Sequence, residues 1–283
     1  MSFVAAPLRR HFEPDFFRPR PERTGTMKYL TMHKVDATME NEVPPDAAML
    51  ERMGAFMGEV GSSGKLLGGE GLRPSKTRTR FTFREGGVQE ERGPFKGRNE
   101  VIAGVLLLKV KTHEEAVAWV KRFADVVGDT EIELGPVTEA WDLGFGPKPA
   151  GAPLRVLCLQ KATAFTESGA ALPADKADAM RALLVDMKRA GVLGGAARTA
   201  PSSQASRLFY RGGKRTVVDG PFAESKELIA GYAVMNPSGK AEVLELSDRF
   251  AAVLQTDLES DAFPVELVDL ENVEKGTPWS KAW

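Results

Sequence analysis

Two side chains are the main candidates for catalysis in this sequence, His33 and Asp219. A neutral imidazole can accept a proton near neutral pH, and a carboxylate can orient it or hold a cation. His33 ends a short apolar segment, where a hydrogen-bonded histidine without a catalytic role is the alternative. Asp219 precedes Gly220-Pro221, so a turn-forming aspartate is the alternative there. The two residues give an enzyme hypothesis and, beside it, a purely structural one.

Other polar side chains could hold a ligand without transforming it. An arginine can clamp a carboxylate or phosphate through two parallel hydrogen bonds, and a partly buried Glu–Arg pair is the structural alternative. A tyrosine could add a hydroxyl group to a pocket. The candidate ligand-binding residues are Arg80, Glu100, Arg207, Glu224, Glu227 and Tyr232.

Familiar cofactor and metal motifs fail when their spacing is checked. The stretch 61–65, Gly-Ser-Ser-Gly-Lys, resembles a phosphate-binding loop, but Glu59 and Leu66 occupy positions that require Gly and Ser or Thr. The three histidines lie far apart, and Cys158 is the single cysteine, so neither a zinc site nor an intrachain disulfide is expected. We expect no metal and no cofactor, and a reducing, cytoplasmic location.

Charge and hydropathy limit the kinds of partner. The 283 residues contain 38 Lys and Arg against 39 Asp and Glu, so no basic field favours direct contact with nucleic acid. The longest apolar run, Val101–Leu108, is far shorter than the ~20 residues that a membrane span needs. A small-molecule ligand is therefore the expected partner, with no membrane contact.

The first 26 residues differ from the rest. They contain five arginines and lack the apolar core of a secretion signal, so we interpret residues 1–26 as a disordered leader. One alternative is an arm that docks on a protein partner through Phe12, Phe16 and Phe17. Another is that the protein starts at Met27.

Stepping the chain against itself by 127 residues indicates a tandem duplication. Seven of the twelve residues from Gly93 to Gly104 are identical at the shifted positions, including Gly-Pro-Phe and Ile-Ala-Gly. Arg80 matches Arg207, and Glu100 matches Glu227. We expect a first repeat at 27–143, a Gly/Pro-rich linker at 144–153 and a second repeat at 154–283.

Each repeat has the same predicted order of strands and helices. Alternating apolar segments predict strands, and apolar residues spaced by three and four predict helices. The first repeat is predicted to contain strands Tyr29–Lys34, Leu66-Leu67, Thr79–Arg84, Val88–Glu91, Val101–Val110 and Glu131–Val137, with helices Asp46–Val60 and His113–Val127. The second is predicted to contain strands Val156–Lys161, Val192-Leu193, Arg207–Arg211, Thr216–Val218, Leu228–Met235 and Val265–Leu270, with helices Ala174–Arg189 and Lys240–Leu254.

This order predicts an α+β fold of duplicated, ferredoxin-like βαββαβ repeats, each with an extra hairpin. Helices would cover one face of each sheet. The other faces would pack together as a pseudo-dimer inside the chain, which would itself be a monomer or a homodimer.

The stretch from Val218 to Glu227 carries the sequence Asp-Gly-Pro-Phe, followed by Glu-x-Lys-Glu and by Gly231-Tyr232. It resembles the motif of the DGPF/YCII-related family, and both repeats share the resemblance. The resemblance implies a dimeric α/β-barrel of ferredoxin-like units. Many members have no assigned activity, and some are encoded beside, or fused to, extracytoplasmic-function sigma factors. One branch resembles muconolactone isomerases and is proposed to use a His–Asp pair.

That pair is absent at the matching positions. Leu50 and Glu51 in the first repeat and Lys176 in the second stand where the family's histidine is expected. Ser62 and Lys188 stand where its aspartate is expected. Hence neither a hydro-lyase nor an isomerase role carries over through that pair.

The charges around the Gly-Pro-Phe turn change sign between repeats. Arg92, Lys96 and Arg98 replace Asp219, Ala223 and Ser225. Either the two halves bind different things, or the two turns meet and attract.

The favoured function is binding of a small polar or acidic ligand in a regulatory role, with a link to sigma factors. The alternative is a lyase or isomerase acting on a small organic acid, in which His33 or Asp219 would work beside Arg80 or Arg207. Contact between His33 and Arg80 in one cleft would favour the enzyme.

Overall fold

Helices and strands alternate along both halves of the chain. A computed structural model describes residues 27–85, 87–254 and 257–267, so the leader 1–26 and residues 268–283 lie outside the described part. The first half contains β1 (Lys28–Lys34), α1 (Ala37–Glu40), α2 (Ala47–Ser62), β2 (Leu66–Gly71), β3 (Thr79–Arg84), β4 (Gly87–Arg92), β5 (Ile102–Val110), α3 (His113–Val127) and β6 (Thr130–Pro136). The second contains β7 (Leu154–Lys161), α4 (Ala164–Glu167), α5 (Ala174–Arg189), β8 (Leu193–Thr199), β9 (Ser206–Arg211), β10 (Lys214–Asp219), β11 (Ile229–Met235), α6 (Lys240–Leu254) and β12 (Leu258–Leu267).

Local sequence sets where the long helices begin and which face they bury. The Asp46 carboxylate accepts a 2.6 Å hydrogen bond from the Met49 backbone N–H at the start of α2, and Thr112 caps α3 in the same way. Such caps satisfy backbone donors that a first turn leaves without partners. In α5 the buried residues recur at helical spacing: Ala177, Met180, Leu183, Leu184 and Met187.

Strand pairing joins the two halves into one large antiparallel sheet. β1 lies between β11 and β12, and β2 pairs with the other side of β11. β7 lies between β5 and β6, and β8 pairs with the other side of β5. One four-strand group is therefore β2-β11-β1-β12, and the other is β8-β5-β7-β6; β12 and β8 connect them. The free ends of the two groups also meet, because Leu72 forms a β-bridge with Val137.

This pairing corrects the expectation that each repeat builds its own sheet. Each four-strand group takes two strands from the first half and two from the second. The connection between the halves explains the exchange, since the chain after β6 returns directly and β7 pairs antiparallel with β6, from Ile132–Gln160 to Pro136–Val156. β7 thus occupies a place beside β5 and β6, and β1 pairs with strands of the second half.

Several element bounds also differ from those predicted. β2 and β8 continue through their Gly-Gly pairs instead of ending there, because both strands lie against a neighbour that supplies backbone partners. β12 begins at Leu258, well before the predicted Val265, and residues 268–270 of that prediction lie outside the described part. The short helices α1 and α4 were not predicted; Asp36 and Thr163 cap them.

Each four-strand group has helices on one face. α2 and α6 cover β2-β11-β1-β12 through a core that includes Phe56, Val60, Met235 and Leu246. α3 and α5 cover the other group. The opposite faces of both groups share one apolar core, to which the halves contribute Leu30, Met32, Leu157, Leu159 and Phe263.

Candidate functional site

A cavity of about 680 Å³ lies between the sheet and the helices α2 and α6. We call it the α2 cavity. Its polar border includes Thr31, His33, Asp36 and Ser260. Apolar side chains make up most of the rest: Met39, Met49, Met53, Phe56, Met57, Met235 and Phe250. A space of this size and lining is typical of small-molecule sites, which combine an apolar wall with a few placed polar groups.

His33 is positioned on the helix side of the sheet by its place in β1. It pairs in register with Gly231 of β11 and Ser260 of β12. A Cβ atom at position 231 would lie 2.5 Å from the imidazole Cε1, so the glycine leaves the room that the ring occupies. The imidazole also contacts Phe250 of α6, with 5.4 Å between ring centroids.

The imidazole of His33 is neutral at physiological pH. Burial lowers its pKa to about 4; Asp36 opposes the shift, and the positive charges of Arg78 and Lys34 add to it. A neutral imidazole offers one hydrogen-bond donor and one acceptor. His33 can therefore hold a polar group of a ligand, although a base with so low a pKa is weak.

Tyr232 lies on the opposite face of β11 from the His33 ring. It is buried in the core shared by both sheet groups, and it pairs in register with Glu70 of β2. Burial raises the pKa of Tyr232 well above its usual value, and the Glu70 carboxylate adds to the shift. Glu70 in turn pairs with Arg155 at 2.6 Å. The tyrosine therefore remains a neutral phenol within the core.

Arg80 and Glu100 come together as the sequence predicted, inside a larger group of buried charges. We call it the Arg80 cluster: Arg78, Arg80, Glu100, Glu133 and Lys161. The Arg80 Nη2 atom lies 2.8 Å from Glu100 and 2.7 Å from Glu133. Although burial opposes ionisation, Lys161, Arg78 and Arg80 lower the pKa of Glu133 to about 2. The carboxylates and their cations thus neutralise one another in the interior.

Arg207 has a different partner from the one predicted. Its Nε atom lies 2.8 Å from Asp261, whose other oxygen is 2.7 Å from the Lys34 ammonium group. Glu227, the predicted partner, is exposed. The reason is the loop before β11, where Glu100 turns inward in the first half while Ser225 is the buried polar residue in the second.

The Asp219 and Glu224 carboxylates are exposed and do not border the α2 cavity. Asp219 accepts hydrogen bonds of 2.7 Å from both Ser206 and Lys240, which lower its pKa. Glu224 lies 3.1 Å from Lys226. The carboxylate expected at a pocket mouth is thus a surface group beside a turn.

The Gly-Pro-Phe turns have a clear architectural role. A Cβ atom at Gly93 would lie 1.8 Å from the Ser75 carbonyl oxygen, and one at Gly220 would lie 1.7 Å from that of Ser202. The phenylalanine that follows each turn covers an arginine: Phe95 lies 4.3 Å from the Arg80 guanidinium carbon, and the second half repeats this at 4.4 Å.

The two turns also meet, as one of the sequence interpretations expected. The Glu100 backbone N–H donates a 2.7 Å hydrogen bond to the Ser225 carbonyl, and Gly97 packs on the backbone of Lys226. Their charged side chains are engaged locally, since Arg98 pairs with Glu91 within the first half. Backbone contact therefore joins the turns.

Sequence reasoning missed three groups of residues. Glu40 and Glu167, which are 127 residues apart, accept hydrogen bonds from Ser75 and Ser202 and so tie α1 and α4 to the turns. Glu133 and Asp261 bind the arginines; the spacing of 127 placed Glu133 opposite Ser260, one residue away. The methionines around the α2 cavity carried no signal beyond the helical period.

Two searches of the described residues bear on the expected partners. No helix in that part of the chain is long and apolar enough to cross a membrane. Within the same residues, no group of three or more His, Cys, Asp or Glu side chains could hold a metal ion.

Comparisons with known proteins identify one domain. Residues 27–131 match the YCII-related domain. Over 58 residues the chain is 38% identical to an uncharacterized protein of Rhizobium meliloti (strain 1021); the match covers 20% of this chain and 47% of that protein. The chain therefore spans about half the length of that curated relative. No solved structure matches. One YCII-related domain is thus found in the chain, at residues 27–131.

Proposed function

We propose that the protein binds a small, uncharged, largely apolar molecule in the α2 cavity, with its polar end at His33. The observation that carries this proposal is the cavity itself, whose volume of about 680 Å³ lies within the range of known ligand sites. Its apolar wall would supply most of the binding free energy through surface removed from water. His33 would fix the orientation of the ligand.

The charges near the cavity favour an uncharged ligand over the acidic one that the sequence suggested. Asp36 caps α1 by accepting the Met39 N–H at 2.8 Å. Glu42 pairs with Lys76, and Glu70 pairs with Arg155. A charged ligand would lose its hydration and find these carboxylates already engaged, which is costly.

Binding is favoured over catalysis because the expected catalytic contacts are separate. Arg80 belongs to the buried Arg80 cluster, whereas His33 borders the α2 cavity. A regulatory role, in which occupancy changes how the protein meets a partner, is the proposal that fits a binding site without an acid–base pair. A lyase or isomerase remains the second proposal, supported by the presence of His33 in the cavity.

We also infer that the chain is a tandem duplication whose eight inner strands close into a barrel of two ferredoxin-like units. The matches at a spacing of 127 residues and the repeated element order support the duplication. The Leu72–Val137 bridge, with the Thr138 N–H donating to Gly71 at 2.9 Å, supports closure between β2 and the end of β6. The segment at 144–153 would be the linker between repeats.

The ligand proposal is tested by titrating the protein with Nile red, a neutral dye that fluoresces in apolar sites. Met49 borders the α2 cavity on its helix, and Met49→Trp should weaken dye binding at least about tenfold by filling that space. Lys176 lies 127 residues later and borders the smaller cavity of about 190 Å³ under α5, so Lys176→Trp is the matched control. Equal dye binding by the wild type and both variants would contradict the proposal.

A further inference from the structure

The α2 cavity is unusually rich in methionine. Five of the ten methionines of the chain border it: Met39, Met49, Met53, Met57 and Met235. Three of them recur every fourth residue along α2, so they lie on one face of the helix. Thioethers are polarisable, and the side chain has three rotatable bonds, which lets such a wall adapt to different shapes.

The opposite wall carries a row of aromatic rings. His33 of β1 and Phe250 of α6 have ring centroids 5.4 Å apart at an interplanar angle of 53°. Phe250 and Phe56 of α2 follow at 6.1 Å and 49°. Tilted rings at these distances present both edges and faces to a neighbour, the arrangement that aromatic groups prefer.

We propose that the α2 cavity selects flat, uncharged aromatic molecules and tolerates different ring outlines. This rests on the proposed binding function and names the ligand class. An aromatic ring gains from sulfur–ring contacts and from contacts with the His33, Phe56 and Phe250 rings. A saturated molecule of the same carbon skeleton gains only from the burial of its surface.

Methionine in the second half serves a different purpose, which supplies a control. Met180 holds the place of Met53 one repeat length later, and it is fully buried beneath α5. Met53 and Met57 are only partly buried. Fully packed thioethers stabilise a core, whereas partly buried ones can still contact a ligand.

The test compares 1-naphthol with decahydro-1-naphthol, its saturated analogue, as competitors of Nile red bound to the full chain. We expect 1-naphthol to bind about five- to tenfold more tightly. Replacing Met53 and Met57 by leucine, which has a similar volume, should lower that ratio at least about twofold. Met180→Leu should leave it unchanged.

The outcomes separate this inference from the function on which it rests. If the two competitors displace Nile red equally, the aromatic preference is wrong while the cavity remains a binding site. Should Nile red itself bind without regard to Met49→Trp, the binding function fails as well. If the double variant does not fold, the wild-type ratio between the two competitors still decides the question.

Discussion

The two helix layers have the same strand order beneath them, yet they enclose different spaces. The cavity under α2 measures about 680 Å³, and the one under α5 about 190 Å³. Val120 lines the smaller cavity where Ser247 lines the larger one, and Gln160 takes the place of His33. Backbone topology therefore does not decide which side can hold a ligand; the side chains and the helix that cover the sheet do.

The buried charges differ between halves in the same sense. The Arg80 cluster contains three cations and two carboxylates, all nearly inaccessible to solvent. Around Arg207 the side chain is 12% exposed, and Ala205 replaces Arg78. The half with the closed cavity thus belongs to the more tightly paired charge network, and each layer can be perturbed separately.

The largest expected effect is on the Arg80 cluster. Arg80→Ala leaves Glu100 and Glu133 without their shared partner in the interior, which should lower the free energy of unfolding by about 3–5 kcal/mol. Arg207→Ala should cost about 2 kcal/mol, because Asp261 keeps its contact with Lys34. Urea denaturation measures both values. Equal losses in the two variants would contradict the proposed difference between the networks.

A smaller effect concerns pH and distinguishes the two cavities through His33. Its pKa is about 4 in the folded protein and about 6.5 when unfolded, so the unfolded chain binds more protons between these values. The stability that His33 contributes is complete above pH 6.5 and is lost as the pH falls to 4. His33→Gln copies the residue of the other half, and it should remove this dependence.

We expect the wild type to lose about 2 kcal/mol more than His33→Gln between pH 7 and pH 4. Urea denaturation across this interval gives the two profiles, and the acidic residues that both proteins share cancel in the difference. Gln160→Asn is a control for a polar change in the smaller cavity. Parallel profiles for the wild type and His33→Gln would show that the imidazole titrates normally.

Much of this arrangement could be predicted from sequence, because it depends on local patterns. Apolar period and capping placed the helices Ala174–Arg189 and His113–Val127 at their observed bounds. The repeated Arg80 and Glu100 indicated a buried pair. Strand partnership could not be predicted, since β1 and β7 have similar patterns and either could pair with β11 or β5. The α2 cavity was also out of reach, because a methionine at a core position looks the same whether it is packed or borders a space.

The smallest expected effect tests why α2 leaves a cavity and α5 does not. Gly54 and Gly58 lie within α2, and a Cβ atom at either position would meet nothing within 4 Å. Glycine in a helix interior costs roughly 1 kcal/mol relative to alanine, so these residues weaken α2 without any steric need. Each Gly→Ala change should stabilise the protein by up to about 1 kcal/mol. Ala182→Gly on the exposed side of α5 should cost a similar amount and so give α5 the same weakness. If Gly54→Ala and Gly58→Ala stabilise the protein and also slow Nile red entry in stopped-flow fluorescence, then a loosely held α2 is what opens the cavity; unchanged entry would leave the methionine side chains as its gate.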